Sequence, residues 1–306
     1  MTAIDRPLLR IRLAIDYPGR PRVLDDAELD VRRGEIVGLV GSSGSGKSSL
    51  ALALLKLLDT KGGRAHGGIW FQGQDLIRAG EADMRAIRGR SISFVPQSPM
   101  SFLNPAMRID AQMYEAWRAH QRGSRAEREC RVREAIRQVG LPAEQSFLHR
   151  YPGEVSVGQA QRILIAMAIL HNPELLIADE PTSSLDVISQ AEVLRLLARL
   201  SRDLGMAILY ISHDLLSIAG FCNRVAILCE GRIVEFAETG AIFESPVHPY
   251  TRKLIASIPA APRFRPVSVR RASEEWDRSS CITAADHISD ESSGSNAIHD
   301  ECSHCN

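Results

Sequence analysis

Residues 35–58 read EIVGLVGSSGSGKSSLALALLKLL, and this stretch decides the fold. It begins with a short apolar run, EIVGLVG at 35–41, which is typical of a strand buried on both faces. A turn rich in glycine and serine follows, and SSLALALLKLL at 48–58 then predicts a helix. A strand, a tight turn and a helix in this order are the building unit of α/β proteins.

Two further segments have the same apolar character. LLIAD at 175–179 and AILYIS at 207–212 are apolar almost throughout, as strands covered by helices on both faces must be. Between them, residues 189–205 have the spacing of an amphipathic helix, whose apolar stripe is Val193, Leu196, Leu197 and Leu200. The sequence therefore predicts an α/β fold with a mainly parallel sheet flanked by helices.

Residues 97–172 interrupt this alternation without an obvious buried strand. Their charged and apolar segments have a helical period, which predicts a mostly helical inserted subdomain. From Pro259 the hydrophobic period is lost, and residues 274–306 hold eight acidic side chains against one arginine. We therefore expect one domain over 1–258 and a disordered extension over 259–306.

Composition places limits on the function. The 37 basic and 37 acidic side chains cancel, so the net charge gives no argument for nucleic acid as a partner. The longest apolar run near the middle, ILIAMAIL at 163–170, is far shorter than the roughly 20 residues that cross a bilayer. The chain opens MTAIDRPLLRIR without an apolar signal core, and its six scattered cysteines fit a reducing cytosol better than a disulfide framework. If the protein works at a membrane, another component must hold it there.

The turn in the opening stretch has the spacing of a phosphate-binding loop, because GSSGSGKSS at 41–49 satisfies G-x-x-x-x-G-K-[ST]. Glycines let successive backbone N–H groups point at phosphate oxygens, and the following helix adds the positive end of its dipole. Lys47 would lie along the β- and γ-phosphates and Ser48 would ligate Mg²⁺. The alternative is an ordinary glycine-rich turn before a helix. The candidate nucleotide-binding residues of the loop are Gly41, Ser42, Gly44, Gly46, Lys47, Ser48 and Ser49.

A pair of carboxylates follows the second buried run. In LLIADEP at 175–181, Asp179 and Glu180 come at the end of the strand, where open α/β sheets bind ligands. Asp179 is the expected Mg²⁺ partner, directly or through water, and Glu180 is placed to orient and activate an attacking water. Such a pair can also be a solvated turn, but the phosphate loop upstream favours the functional interpretation.

Together these segments resemble the ATP-binding subunit of an ATP-binding-cassette (ABC) transporter, over residues 8–258. The resemblance implies a phosphate-loop ATPase core, with ATP and Mg²⁺ as cofactors. It implies that Gln97 in FVPQSPMSFLNP touches Mg²⁺ and senses a membrane partner, and that His213 in YISHD contacts the γ-phosphate. It further implies that Asp186 in SSLD crosses a dimer interface and that Tyr17 stacks on adenine. Taken singly, each of the four could be an ordinary surface, capping or core residue.

One segment departs from the family pattern. In this family the signature segment usually reads L-S-G-G-Q, and its amides contact the γ-phosphate held by the other subunit of a head-to-tail dimer. Here residues 155–159 read VSVGQ, so Ser156, Gly158 and Gln159 match while Val157 replaces a glycine. A positive φ at this place would be costly for a β-branched residue, and even at negative φ the valine methyl groups would push the loop away from phosphate. Either hydrolysis of the partner's nucleotide is slowed, or the loop shifts slightly and works.

Two stretches resemble the branch of the family that imports oligopeptides, dipeptides and nickel: QSPMSFLNPAM at 97–107 and SPVHPYTRKLIASIP at 245–259. This resemblance implies two transmembrane permease subunits, a second ATP-binding subunit, identical or different, and an extracytoplasmic solute-binding protein. The chain would then be peripheral, on the cytoplasmic face of the membrane. A regulatory ATP-binding subunit of low turnover and a soluble ATPase outside transport are the alternatives.

The C-terminal segment departs from that branch. Several members carry four cysteines that bind an iron–sulfur cluster, whereas this extension has Cys281, Cys302 and Cys305. The last two cysteines, with His299 and His304, offer enough donors for Zn²⁺ or Ni²⁺, but a terminal C-x-x-C lacks a second pair of ligands. A solvated tail is therefore the favoured interpretation.

Overall fold

The computed structural model describes residues 6–258, so the extension predicted over 259–306, with its cysteines and histidines, lies outside the described residues. Within 6–258 the strands are β1 (Leu9–Tyr17), β2 (Arg20–Val31), β3 (Ile36–Gly41), β4 (Arg64–Phe71), β5 (Gln74–Asp75), β6 (Ile92–Val95), β7 (Leu175–Asp179), β8 (Ala207–Ser212), β9 (Arg224–Cys229) and β10 (Arg232–Glu238). The helices of the same part are α1 (Lys47–Leu54), α2 (Glu81–Ile87), α3 (Pro99–Phe102), α4 (Ile109–Arg118), α5 (Arg125–Gln138), α6 (Gln145–Leu148), α7 (Val157–Ile169), α8 (Val187–Leu204), α9 (Leu215–Ala219), α10 (Thr239–Glu244) and α11 (Pro249–Ala256).

The central sheet has six strands in the spatial order β10-β9-β3-β8-β7-β6. The strands from β9 to β6 are parallel neighbours, and only β10 runs antiparallel, at one edge. The three apolar runs of the sequence are β3, β8 and β7, which lie side by side in its middle. In β3, Val37 and Leu39 join one hydrophobic cluster while Ile36 and Val40 join the other, so both faces of the sheet are covered. The predicted α/β fold with a mainly parallel sheet is confirmed.

A second sheet, which the sequence analysis did not predict, covers one face of the first. Its order is β2-β1-β4-β5, and all its neighbours are antiparallel. Along β1 the buried side chains alternate with more exposed ones, as a sheet with one covered face requires. The buried residues of β1 and β2 pack with those of α1 and the central sheet in a single cluster.

Helices cover the other face of the central sheet. Between β6 and β7 the described chain forms the helices α3 to α7, which agrees with the predicted helical subdomain over 97–172. The predicted stripe of α8 is buried in the cluster on this side of the sheet: Val193, Leu196, Leu197 and Leu200. The end of the domain at residue 258 stays a prediction.

The topology decides where functional side chains can meet. Because β3, β8, β7 and β6 are parallel neighbours, their carboxyl ends lie along one edge of the sheet. The phosphate loop follows β3, and the segments that carry Gln97, Glu180 and His213 follow β6, β7 and β8. These three residues and the loop are therefore brought to one place although they are far apart in the sequence.

Candidate functional site

The phosphate loop connects β3 to α1, and two of its glycines are required by its shape. Gly46 is the N-cap of α1 with a φ of 109°, and a Cβ there would lie 2.8 Å from the carbonyl oxygen of Val23. A Cβ on Gly41 would lie 2.4 Å from the carbonyl oxygen of Leu228. Both contacts are too short for any other residue, so the two glycines let the loop backbone lie close to β2 and β9.

The ammonium group of Lys47 is turned into this loop. Its Nζ atom donates to the carbonyl oxygens of Gly41 at 2.8 Å and Ser42 at 3.0 Å. The side chain is buried, and burial lowers the pKa of Lys47, an effect that the nearby carboxylates of Glu180 and Asp179 oppose. A cation held at the backbone of this loop, next to the N-terminus of α1, is suited to bind phosphate oxygens.

Asp179 and Ser48 provide oxygen atoms beside the loop. Asp179 ends β7, and burial raises the pKa of its carboxyl group, an effect that contact with the Ser48 side chain partly offsets. Its Oδ1 atom is buried and has no hydrogen-bond partner among the described residues. A buried oxygen of this kind needs a partner, and a small hard cation fits the donor set of one carboxylate and one hydroxyl next to bound phosphates.

Glu180 lies at the centre of the site. Its Oε1 atom is 3.1 Å from Nδ1 of His213, and its Oε2 atom accepts a hydrogen bond of 3.0 Å from Nε2 of Gln97. The backbone of Glu180 has a φ of 47°, in the left-handed region, and its N–H donates to the carbonyl oxygen of Ile211. Such a conformation is costly for a residue other than glycine and persists where the surroundings fix it, as at active sites.

Tyr17 ends β1 next to the start of α1. Its hydroxyl group is 3.1 Å from Oγ of Ser49, and a Cβ on Gly63 would lie 2.9 Å from the tyrosine ring. The phenol therefore lies beside the phosphate-loop helix, and its stacking on adenine stays a prediction. Gly44, at the tip of the loop with a φ of 78°, is exposed.

The signature segment forms the start of α7. Ser156 is the N-cap: its Oγ accepts from the N–H of Gln159, and the Gln159 side chain accepts from the N–H of Ser156. Val157 is the first residue of the helix, and it is not among the non-glycine residues with positive φ. The concern that valine is forced into the left-handed region is therefore wrong. Its side chain is 41% exposed, so only its volume can matter to a ligand at this helix end.

Asp186 caps the neighbouring helix α8. Its carboxylate accepts from the N–H groups of Ile188 and Ser189 and from the Ser189 hydroxyl, and the last of these hydrogen bonds is the largest cause of the lowered pKa of Asp186. Within residues 6–258, no hydrogen bond or ion pair joins residues 155–159 to the loop at 41–49. The structure thus brings together Gln97, Glu180, His213 and the phosphate loop, and it gives the signature segment and Asp186 no bond to that loop.

Sequence reasoning missed one polar contact directly behind the site. The hydroxyl groups of Thr182 and Tyr210 are 3.1 Å apart and buried. A tyrosine in the otherwise apolar run AILYI was the available signal, because a buried tyrosine hydroxyl generally has a hydrogen-bond partner.

Comparisons with known proteins identify the family. The family described as "ABC transporter" matches residues 24–183, and the family described as "Oligopeptide/dipeptide transporter, C-terminal region" matches residues 234–276. A probable peptide ABC transporter ATP-binding protein of Sinorhizobium fredii is 43% identical over 245 residues, which cover 80% of this chain and 73% of the relative. The dipeptide transport ATP-binding protein of Escherichia coli is 41% identical over 238 residues, 78% of this chain and 73% of the relative.

Solved structures show the same fold. A dimeric ATP-binding cassette in a post-hydrolysis state with ADP and Pi has a TM-score of 0.64 at 25% identity, and the match covers 76% of this chain and 98% of that one. The CbiO1 subunit of an ABC transporter complex from Clostridium perfringens has a TM-score of 0.69 at 24% identity, and it covers 83% of this chain and 97% of that one.

The fold and the site define an ATP-hydrolysing cassette. The chain belongs to the ABC transporter family, and it carries the C-terminal region described for oligopeptide and dipeptide transporters. None of the helices between residues 6 and 258 combines the length and the apolar character of a membrane span.

Proposed function

We propose that this chain energises an importer of peptides or related small solutes, as one half of a head-to-tail pair of ATPase subunits. The observation that carries the proposal is the carboxylate of Glu180, held between Gln97 and His213 beside the phosphate loop. Both relatives described above are named for peptide or dipeptide transport, and this supports peptides rather than nickel as the cargo.

The nucleotide is bound mainly by the loop and by Tyr17. Backbone N–H groups of residues 41–49 and the ammonium group of Lys47 face the phosphates, after Lys47 exchanges its carbonyl partners for phosphate oxygens. Ser42, Gly44 and Ser49 complete the cradle, and the ring of Tyr17 stacks on the base.

The carboxylates carry the chemistry. Mg²⁺, when bound, neutralises charge that develops on the β- and γ-phosphates. Ser48 and the Oδ1 atom of Asp179 would hold it, and the Gln97 amide would be a further ligand. Glu180 orients the attacking water and accepts its proton, and His213 turns from Glu180 to the γ-phosphate.

The second nucleotide of the pair is contacted by the signature segment. The first N–H groups of α7, those of Val157 and Gly158, have no acceptor within the helix, and with the helix dipole they form an anion-binding end. Ser156 and Gln159 set this end by capping it, and Asp186 lies at the start of the adjacent helix. We assign these groups to the nucleotide bound by the second subunit.

The membrane partners bind on the segment that follows Gln97. There α3 leaves Met100 and Phe102 exposed, the latter at 61%, although apolar side chains of this size are usually buried. Two permease subunits contact this surface and hold the chain at the cytoplasmic side of the membrane, and a solute-binding protein acts on them from the other side.

The test is transport by the reconstituted complex of this chain, its second ATPase, the permeases and the binding protein in liposomes. Uptake of radiolabelled trialanine should require ATP and should be lost when Glu180→Gln replaces the wild-type chain. ATP-dependent uptake of Ni²⁺ without uptake of trialanine would contradict the cargo assignment. Unchanged uptake with Glu180→Gln would contradict the catalytic assignment.

A further inference from the structure

A buried tyrosine connects the two loops that carry Glu180 and His213. Tyr210 lies in β8, three residues before His213, and its side chain is fully buried. Its hydroxyl group is 3.1 Å from Oγ1 of Thr182, which is 5% exposed and lies two residues after Glu180. One hydrogen bond thus joins the strand that leads to the histidine to the turn that carries the glutamate.

Thr182 is well placed to fix that turn. Its carbonyl oxygen accepts from the N–H of Leu185, which shapes the segment leading to Asp186. Thr182 also lies inside a tight turn, in which the carbonyl oxygen of Glu180 accepts from the N–H and the hydroxyl of Ser183. A displacement of Thr182 would therefore move both ends of the turn, and Glu180 has a left-handed backbone that only its surroundings maintain.

The hydroxyl of Tyr210 also lies near Ser217 of α9, the helix that follows the loop with His213. Burial raises the pKa of Tyr210, and the hydroxyl groups of Thr182 and Ser217 partly offset this effect. Ser217 Oγ in turn donates to the carbonyl oxygen of Asp214, the residue after His213, at 2.7 Å. The tyrosine is therefore hydrogen-bonded to the turn that carries Glu180, and it lies in the strand that leads to His213.

We propose that Tyr210 and Thr182 are positioning residues, which set Glu180 relative to His213 for hydrolysis. This inference rests on the role proposed above for Glu180. Removal of the hydrogen bond should lower kcat, because a small displacement of Glu180 misaligns the attacking water. It should leave the KM for ATP unchanged, because neither residue touches the phosphate loop.

A purely structural role predicts a different result. A buried tyrosine fills the core, and its hydroxyl needs a partner wherever it lies, so loss of that partner would lower stability without a specific effect on kcat. Thr239 provides the matched control. It is also buried, at 1% exposed, and its hydroxyl donates to the carbonyl oxygen of Cys222 at 2.7 Å in a part of the fold that contains none of the proposed catalytic residues.

The experiment measures kcat, the KM for ATP and Tm for the complex with Tyr210→Phe, Thr182→Val, the double variant, Thr182→Ser and Thr239→Val. Tyr210→Phe and Thr182→Val should each lower kcat by about tenfold with an unchanged KM. The double variant should be no slower than either single variant, because both remove the same hydrogen bond. Thr182→Ser, which keeps the hydroxyl, should retain the wild-type kcat, and Thr239→Val should lower Tm only.

The inference is overturned if Tyr210→Phe and Thr182→Val lower Tm as Thr239→Val does and leave kcat unchanged. It is also overturned if their effects on kcat multiply in the double variant. If Tyr210→Phe does not fold, Thr182→Val against Thr182→Ser decides the question alone. Glu180→Gln is measured in parallel: full turnover in that variant would contradict the role of Glu180, whatever the tyrosine variants show.

Discussion

The Nδ1 atom of His213 lies 3.1 Å from Oε1 of Glu180, and the other oxygen of the same carboxylate is held by Gln97. Both oxygens of the proposed base are therefore occupied by neighbours from adjacent strands. Each oxygen has a second lone pair, so Glu180 can still accept a proton from water while these contacts orient its carboxylate. We expect His213 to leave the carboxylate when ATP is bound, because the γ-phosphate offers the histidine a more highly charged partner.

The first prediction concerns this proposed base. Glu180→Gln keeps the size and shape of the side chain but cannot accept the proton, so ATPase turnover at this chain's own site should fall by about 100-fold or more while ATP still binds. Turnover is measured in the assembled complex whose second ATPase has its own catalytic glutamate replaced by glutamine, and binding by titration with a fluorescent ATP analogue. The control is Glu244→Gln, an exposed glutamate on α10. Substantial turnover by this chain with Glu180→Gln would remove Glu180 from the mechanism.

The second prediction concerns coupling to the membrane subunits. Gln97 joins the exposed α3 to Glu180, so Gln97→Ala should reduce the stimulation of ATPase activity by loaded binding protein. The KM for ATP should change by less than about twofold, because the loop and Tyr17 supply most of the proposed binding contacts. Gln121→Ala, at an exposed position of the helical subdomain, is the control. Stimulation equal to that of the wild type would contradict the proposed position of the permease.

The third prediction concerns the buried charge of Asp179. Burial raises its pKa in the folded chain, so the folded state binds a proton more readily than the unfolded state does. The free energy of unfolding therefore decreases as the pH rises from the pKa of Asp179 in the unfolded chain to its raised pKa in the folded chain. Above the raised pKa this loss of stability remains constant. Asp179→Asn removes this cost, so its Tm without nucleotide should exceed that of the wild type at pH 7, and the difference should shrink as the pH falls.

The same variant should lose its response to the metal. Addition of ATP with Mg²⁺ should raise the Tm of the wild type and should raise that of Asp179→Asn much less. Asp203→Asn, at an exposed position on α8, should resemble the wild type in both measurements. A lower Tm for Asp179→Asn at pH 7 would mean that the carboxylate stabilises the fold, contrary to this argument.

The parts of the fold that could be predicted are those that a contiguous stretch of sequence determines. β3, β7 and β8 are buried on both faces, so each is a continuous apolar run. The phosphate loop could be placed because its strand and helix are contiguous with it. The antiparallel sheet was not predicted, although apolar and polar residues alternate along β1 as they do in a strand with one buried face. In β4 the two adjacent glycines interrupt such a pattern, so the sequence does not show that strand clearly.

The site could be predicted as a set of residues but not as an arrangement. The contacts of Glu180 with Gln97 and His213 depend on the order of β6, β7 and β8, which no local pattern encodes. For the same reason the link between Tyr210 and Thr182 could not be seen. At Val157 the replacement of a glycine suggested a strained backbone, whereas the Ser156 cap shows an ordinary first helical residue.

The last prediction concerns that valine. Since the backbone of Val157 is unstrained, only its side chain can hold the start of α7 away from a nucleotide on the second subunit. The nucleotide on this chain's own loop should then be hydrolysed faster than the other. Loss of about 1.4 kcal/mol of transition-state stabilisation would make the partner's site tenfold slower. The measurement is the ATPase rate of complexes in which the catalytic glutamate of one subunit at a time is replaced by glutamine.

In these complexes Val157→Gly should accelerate the partner's site by up to about tenfold and leave this chain's site nearly unchanged. Val157→Ala should give an intermediate rate, because the effect follows side-chain volume. Arg125→Gly is the matched control. Arg125 is also the first residue of a helix, and the serine before it forms a capping box with a glutamate. A glycine at this position should therefore destabilise the helix start by a similar amount, without any contact with the second nucleotide. Equal rates from the two half-disabled complexes, with no gain from Val157→Gly, would show that the valine is accommodated by the dimer and that the two sites are equivalent.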